Sequence, residues 1–163
     1  MEKKTLPPRS DVPLDETWDL ASIFSNVDAW ENAKEEVITK IPLLAQYKGK
    51  LSEGPQVLAE FFDLYEQTLR KVSLVLVYGM LDSSVDTTNQ SAQARAGQGQ
   101  SLFVRLNAAT SFVNPELMAI GFKRLREWIK TEDRLAYLGH FIDELEREKE
   151  HVRSNEVEQV LAL

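Results

Sequence analysis

The side chains best suited to chemistry in this sequence of 163 residues are those of its two histidines. His140 and Glu144 are four residues apart in a predicted helix, so both could approach one metal ion. Glu148 and His151 form one Glu-x-x-His motif, whereas di-iron bundles use two such motifs and two further glutamates. His140 and His151 would lie about 16 Å apart along a continuous helix, so they could not share an ion. We therefore interpret both histidines as surface or structural residues and predict no metal site.

A second group of possible ligands lies in a predicted turn. Asp82, Asp86 and Asn89 carry oxygen atoms that calcium could bind, but the glycine and closing glutamate of an EF-hand loop are absent from this stretch. Asp and Asn are also common in turns and at the starts of helices, where their side chains accept backbone hydrogen bonds. We interpret these three residues as turn and capping residues.

The sequence motifs of self-sufficient active sites are absent. There is no H-E-x-x-H, no glycine-rich phosphate loop and no G-x-S-x-G. There is also no cysteine, which excludes thiol nucleophiles, disulfides and cysteine-bound zinc, and which is compatible with a cytoplasmic protein. The sequence therefore predicts no catalytic residue and no bound cofactor in this chain, and it assigns no substrate-binding residue.

Composition argues against two classes of partner. The net charge is −7, with 19 basic and 26 acidic residues, and nucleic-acid binding needs clustered positive charge. The longest apolar run, residues 74–81, is far shorter than the ~20 residues that span a bilayer. We expect neither a nucleic-acid nor a membrane interaction.

The spacing of apolar residues predicts an all-α helical bundle built around a long antiparallel helical hairpin at residues 55–113. Steps of three and four place one apolar stripe on each helix, and the turn between them is predicted at 82–89. The stripes comprise Leu58, Phe61, Phe62, Tyr65, Leu69, Val72, Leu76 and Met80 in the first helix, and Ala92, Ala96, Gly99, Phe103, Leu106 and Val113 in the second. Ala96 and Gly99 are expected to face the first helix at close range. Residues 74–81 are apolar on every side, so we expect other elements to surround them.

Before the hairpin, the prolines of residues 1–27 predict an extended N-terminal lead. We interpret Trp18 as a docked anchor of this lead, in preference to a residue that stacks on a ligand. Asp28 and Glu31 have the spacing of a capping box and predict the start of a helix. Pro42 is expected to kink that helix or divide it in two.

After the hairpin, the segment Asn114-Pro-Glu116 predicts the start of a short helix that ends near Gly121. A longer helix is expected from Thr131 to about Lys149. Residues 154–163 begin a further apolar helix without any stop signal, as in a fragment of a longer protein. The predicted organisation is thus a lead at 1–27, a helical domain at 28–153 and the start of a truncated helix at 154–163.

Short stretches distributed along the whole chain resemble oligoendopeptidase F, in the same order and with similar spacing. They are Leu6-Pro-Pro-Arg-Ser-Asp with Trp18-Asp-Leu, Tyr47-Lys-Gly-Lys-Leu51, Asp86-Thr-Thr88, Phe112-Val-Asn-Pro-Glu-Leu117, and residues 137–163 with His151, Ser154 and Glu156. The resemblance implies a thimet-type zinc oligopeptidase: a cytoplasmic, mostly helical clam-shell enzyme that cuts short peptides inside a closed channel. It matches this chain to the N-terminal helical domain, which forms part of one wall of the clam-shell.

The resemblance also implies that zinc belongs to the parent enzyme, where an H-E-x-x-H motif further along the protein binds it. This chain is then inactive alone, its partner is the downstream catalytic domain, and short peptides are the substrates of the parent enzyme. Self-association through the helix at 154–163 is a further expectation. The alternative function is that of a free-standing helical module that binds a partner helix in an apolar groove.

Overall fold

The structure, a computed structural model, describes residues 11–149. Its chain contacts divide it into two compact units. The first unit comprises Thr68–Leu106 and the described residues up to Ile41, and the second comprises Pro42–Gln67 and the described residues from Asn107 onward. His151, the first ten residues of the predicted lead and the predicted helix at 154–163 lie outside the described range. The predicted domain boundaries stay predictions.

The all-α prediction is confirmed: within residues 11–149 the regular elements are α-helices and short 3₁₀ helices. The α-helices are α1 (Val27–Ala45), α2 (Pro55–Val85), α3 (Gln90–Thr110), α4 (Val113–Ile120), α5 (Phe122–Thr131) and α6 (Gly139–Glu148). None of the helices in this part of the chain is both long and apolar enough to cross a bilayer.

The predicted hairpin is formed by α2 and α3. Pro55 occupies the first position of α2, where a missing backbone N–H costs nothing. The turn is shorter than predicted, because α2 continues to Val85. Asn89 caps α3 by accepting a hydrogen bond from the backbone N–H of Ala92 at 3.1 Å. Val113 was wrongly assigned to the second hairpin helix, since α3 ends at Thr110 and Val113 begins α4.

Two glycines bring the backbones of α2 and α3 together in the first unit. A Cβ atom placed on Gly99 would lie 2.8 Å from the Cα of Leu76, and one placed on Gly79 would lie 2.9 Å from the backbone N of Ala96. Real Cβ atoms do not approach backbone this closely, so only glycine fits at either position. The predicted close approach at Ala96 and Gly99 is confirmed, and Gly79 is a second contact point that the apolar pattern did not reveal.

The core of the first unit lies between α1, α2 and α3. The indole N–H of Trp30 donates a hydrogen bond to the carbonyl of Val75 at 2.9 Å, and the Trp30 ring stacks on Tyr78. The buried apolar residues of this unit are Trp30, Ala33, Val37, Ile41, Val72, Val75, Tyr78, Ala92, Leu102 and Leu106. Burying the Trp30 ring with its N–H hydrogen-bonded stabilises the folded state through a large apolar area, without the free-energy cost of a lost hydrogen bond.

Helix α1 begins one residue earlier than predicted and has a different cap. Asn26 accepts a hydrogen bond from the backbone N–H of Ala29 at 2.9 Å, so Asn26 and not Asp28 is the capping residue. Glu31, predicted as the other half of a capping box, instead forms an ion pair with Lys34. The helix is not divided at Pro42 but continues to Ala45.

The second unit is organised around aromatic rings. The buried ring of Phe61 lies 5.3–5.9 Å, centroid to centroid, from four other rings, those of Tyr47, Phe62, Tyr65 and Phe112. Edge-on and offset arrangements of this kind are favourable beyond the area they bury. Phe61 is therefore the centre of this unit's core.

Short helices complete the second unit. Gly121 separates α4 from α5, as predicted, and it has a φ of 91° that suits glycine. The predicted helix from Thr131 to Lys149 is wrong: α5 ends at Thr131, a 3₁₀ helix spans Asp133–Leu138, and α6 begins at Gly139. Glu132 causes the break, because its backbone is extended and its side chain accepts a hydrogen bond from the Arg134 backbone N–H.

Candidate functional site

His140, the histidine that the structure describes, lies on the surface beside the carboxylate of Glu144. The imidazole of His140 is 80% exposed and its Nε2 lies 3.4 Å from a carboxylate oxygen of Glu144. The same carboxylate lies 3.5 Å from the guanidinium of Arg147, which competes for it. Among residues 11–149 no group of three or more His, Asp or Glu side chains is arranged to hold a metal ion. His151 is outside this range, and the absence of a metal site in the chain stays a prediction.

The three oxygen-bearing residues that were predicted to lie in the hairpin turn have separate structural roles. Asp82 forms an ion pair with Arg95 of α3, at 2.5 Å. Asp86 accepts hydrogen bonds from both the backbone N–H and the hydroxyl of Thr88, which lower the pKa of its carboxyl group. Asn89 caps α3. The interpretation as turn and capping residues is confirmed for Asp86 and Asn89 but wrong for Asp82, which lies inside α2.

Trp18 is not the anchor that the sequence predicted. Its side chain is 60% exposed, so burial of the indole cannot attach the lead to the rest of the fold. The contact is made six residues later by Phe24, whose ring packs edge-on against Tyr78 at 5.6 Å. The prediction chose Trp18, which has the larger ring, whereas the contact is made by Phe24, which lies closer to the start of α1.

The most unusual surface of the first unit lies on α2, in the stretch that was expected to be surrounded. Leu74, Val77 and Met80 are exposed by 39, 42 and 54%, whereas Val75 and Tyr78 on the same helix are buried. The prediction that residues 74–81 are enclosed on every side is therefore wrong within the described residues. We call Leu74, Val77 and Met80 the exposed apolar face.

The stretch of α2 that carries the exposed apolar face, and the middle of α3, contain no charged residue. Residues 72–81 of α2 and residues 96–104 of α3 contain no Asp, Glu, Lys or Arg, although 28% of the whole sequence is charged. The flanking charges are paired where the two helices meet the turn, through Asp82 and Arg95. A surface with few charges is typical of the core of a protein interface.

The second unit has a shallow surface hollow of about 500 Å³ beside the start of α5, lined by Ile120, Gly121, Phe122, Lys123, Arg124, Glu127 and Trp128. The guanidinium of Arg124 lies 4.8 Å from the centroid of the Trp128 ring, a cation–π contact that covers the aromatic surface. The polar groups at its rim are those of an ordinary amphipathic helix, and nothing in the hollow converges on one point.

One residue has a structural role that the sequence did not suggest. Glu116, predicted only as an acid in the first turn of α4, accepts hydrogen bonds from the backbone N–H groups of Gly49 at 2.6 Å and Leu51 at 3.4 Å. The Glu116 carboxylate thus supplies hydrogen-bond acceptors for two backbone N–H groups of the loop between α1 and α2, in which Gly49 has a φ of 82°. The contact joins residues 67 positions apart, so no local pattern could have revealed it.

Comparison with known sequences matches this chain to bacterial oligopeptidases. The sequence profile of the Peptidase_M3_N family, described as Oligopeptidase F, matches residues 116–163. Oligopeptidase PepF of Bacillus subtilis is 31% identical over 163 residues, which cover 99% of this chain and 24% of that protein. Group B oligopeptidase PepB of Streptococcus agalactiae is 25% identical, over 94% of this chain and 26% of its own length. The chain thus spans about a quarter of the relatives it matches.

Comparison with solved structures gives the same fold. The crystal structure of oligoendopeptidase-F from Enterococcus faecium matches with a TM-score of 0.74 and 24% identity. The match covers 84% of this chain and 27% of that one. At this level of identity the likeness concerns the fold alone.

Proposed function

The chain is a relative of the N-terminal region of oligoendopeptidase F, and we propose that it acts as the N-terminal helical domain of a zinc-dependent oligopeptidase. The observation that carries the proposal is the match to the Bacillus subtilis oligopeptidase, which covers 99% of this chain but only 24% of the relative. In this proposal, catalysis and zinc binding belong to the rest of the protein. The proposed location of the enzyme is the cytoplasm.

The contribution of this domain is proposed to be steric. A helical domain that forms part of the wall of a channel admits extended peptides and excludes folded proteins by its shape. The packing of this chain suits such a role, because Gly79 and Gly99 hold two long helices at backbone contact and a ring cluster centred on Phe61 fills the second unit. Close-packed elements resist deformation, so they keep a channel narrow.

The test uses a quenched fluorescent peptide and metal analysis after dialysis. The chain alone should bind no stoichiometric zinc and cleave no peptide. The Bacillus subtilis relative, with its matched quarter replaced by this chain, should bind zinc, cleave short peptides and leave a folded protein intact. A chimera that folds, binds zinc and yet cleaves nothing would count against the proposal.

Two further results would contradict it. One is a tightly held zinc in the isolated chain that is lost in a His140→Ala variant together with peptide cleavage. The other is a stop codon directly after the codon for Leu163, where the proposal expects a coding sequence that contains H-E-x-x-H. That result would favour the free-standing helical module.

A further inference from the structure

We propose that the exposed apolar face, Leu74, Val77 and Met80 of α2, is the surface on which the catalytic part of the same polypeptide docks. The proposal rests on the proposed function, since it identifies where the N-terminal domain meets its covalent partner. It assigns an interaction surface to three large apolar residues that stay 39–54% exposed in the described chain.

The first argument comes from the contrast within one helix. Val75 and Tyr78 are buried in the first unit, so α2 already has a complete inward face. Leu74, Val77 and Met80 form a second apolar face on the same two turns, exposed by 39–54%. A helix that is apolar all round is usually covered on both sides.

The second argument is the absence of charge. Covering a charged surface removes water from ions and is costly unless each ion gains a partner. Residues 72–81 and 96–104 present no charged side chain that would have to be desolvated. The nearby ammonium that these stretches do not include is that of Lys34 on α1, which donates a hydrogen bond to Gln98 at 3.0 Å. Covering the exposed apolar face therefore desolvates no charge on its own stretch of α2, and the chemistry that fits this face is an uncharged, apolar surface.

The third argument is area, which distinguishes a tethered partner from a second copy. Ten residues of helix rise about 15 Å and one helix is about 10 Å wide, so the surface of α2 around the exposed apolar face measures about 150 Å². A stable complex between separate proteins buries about 800 Å² on each partner. A partner on the same chain acts at an effective concentration in the millimolar range, so a small surface is sufficient.

The relatives supply such a tethered partner. This chain corresponds to 24% of the Bacillus subtilis oligopeptidase and to 26% of the Streptococcus agalactiae one. About three times as much polypeptide is therefore attached to the matching region in those proteins. This is the occupant to which the proposal commits.

The experiment compares the same substitutions in two settings. In the full-length Bacillus subtilis relative, the residues aligned with Val77 and Met80 are both changed to lysine. In this chain alone, the corresponding variant is Val77→Lys with Met80→Lys. The matched control in both proteins is lysine at Leu43, which is 44% exposed, lies in the last turn of α1 and is outside the exposed apolar face.

In the full-length relative, the double substitution should lower the melting midpoint by about 3 °C or more, because it places lysines in a covered interface. The control should leave it unchanged, and in this chain alone neither variant should change it. An unchanged midpoint in the relative would overturn the proposal, and so would an equal fall in the isolated chain. A dimer of the unsubstituted chain that the lysines abolish in sedimentation would identify a second copy as the occupant instead.

The two proposals can fail separately. If the chimera described above is active but lysines at the exposed apolar face have no effect, the proposed function stands and the docking surface is wrong. If the chimera folds and binds zinc but is inactive, the proposed function fails, whatever the lysines do.

Discussion

The two units are stabilised by opposite means. In the first, two backbones touch where side chains are absent, at Gly79 and Gly99. In the second, side chains are as large as possible, and the ring of Phe61 contacts four other rings. We call the backbone contact at Gly79 and Gly99 the glycine seam. The stability of the glycine seam depends on the path of two backbones, whereas the stability of a ring cluster depends on how completely side chains fill its volume. The two units should therefore respond differently to added and to removed atoms.

The largest effect is expected where atoms are removed from the ring cluster. Phe61→Ala should lower the free energy of unfolding by about 3–5 kcal/mol, because it leaves a large cavity among rings that cannot collapse into it. Urea unfolding followed by circular dichroism measures this value. Phe103→Ala, at a half-buried position in the first unit, should cost less than half as much. Equal losses would show that the two units do not differ in the way proposed.

Adding a single methyl group should distinguish the seam from the rest of α3. Gly99→Ala should cost about 1–2 kcal/mol net, since the overpacking against backbone exceeds the gain in helix propensity. Gly97→Ala should stabilise the protein by about 0.5–1 kcal/mol, because its Cβ would meet nothing within 4 Å. Thermal melting of both variants makes the comparison, and two shifts of the same sign would disprove the seam.

A smaller loss of stability is expected when the hydrogen bonds from the loop after α1 to Glu116 are weakened, in the second unit. Glu116→Gln keeps the size of the side chain but removes its charge, and it replaces one of the two oxygens that accept from the N–H groups of Gly49 and Leu51 with a donor NH2 group. The expected loss is about 0.5–1.5 kcal/mol. Glu127→Gln, at an exposed position on α5, is the control and should have no effect.

The smallest effect concerns acid stability in the first unit. Hydrogen bonds from Lys71 and Lys40 lower the pKa of Glu36 from 4.5 to about 2. A carboxyl whose pKa is lower in the folded state stabilises it fully above about pH 4.5, and this stabilisation is lost as the pH falls toward 2. The melting midpoint of Glu36→Gln should therefore depend less on pH than that of the unsubstituted protein between pH 4.5 and 2. Glu35→Gln should retain the original dependence.

Sequence periodicity was sufficient to predict the long helices and the seam. Steps of three and four placed Leu58, Phe61 and Val72 correctly on the inward side of α2, and the small residues around Gly99 marked the close approach. The apolar pattern did not reveal the role of Gly79, because this glycine lies inside an apolar run and does not interrupt the spacing of the stripe. Its role depends on the residue opposite, Ala96, and the sequence does not state which residues are opposite.

Two other features lay beyond local pattern. Met80 was placed on the inward stripe, but the packing of Val75 and Tyr78 turns the helix so that Met80 faces outward. Periodicity gives the spacing of a stripe but not which of two adjacent apolar stripes finds a partner. Glu132 ends α5 through its own backbone conformation and its bond to Arg134, without the glycine or proline that usually marks a helix end.

The bond between Glu116 and Gly49 has a consequence for biosynthesis. A ribosome releases the chain from its N-terminus, and α1 and the loop after it emerge well before α4. The carboxylate that accepts from the Gly49 N–H is made 67 residues later, so this bond cannot form until then. At about 5–20 residues per second the delay lasts about 3–13 s. The loop after α1 is thus completed only when the chain has grown as far as α4.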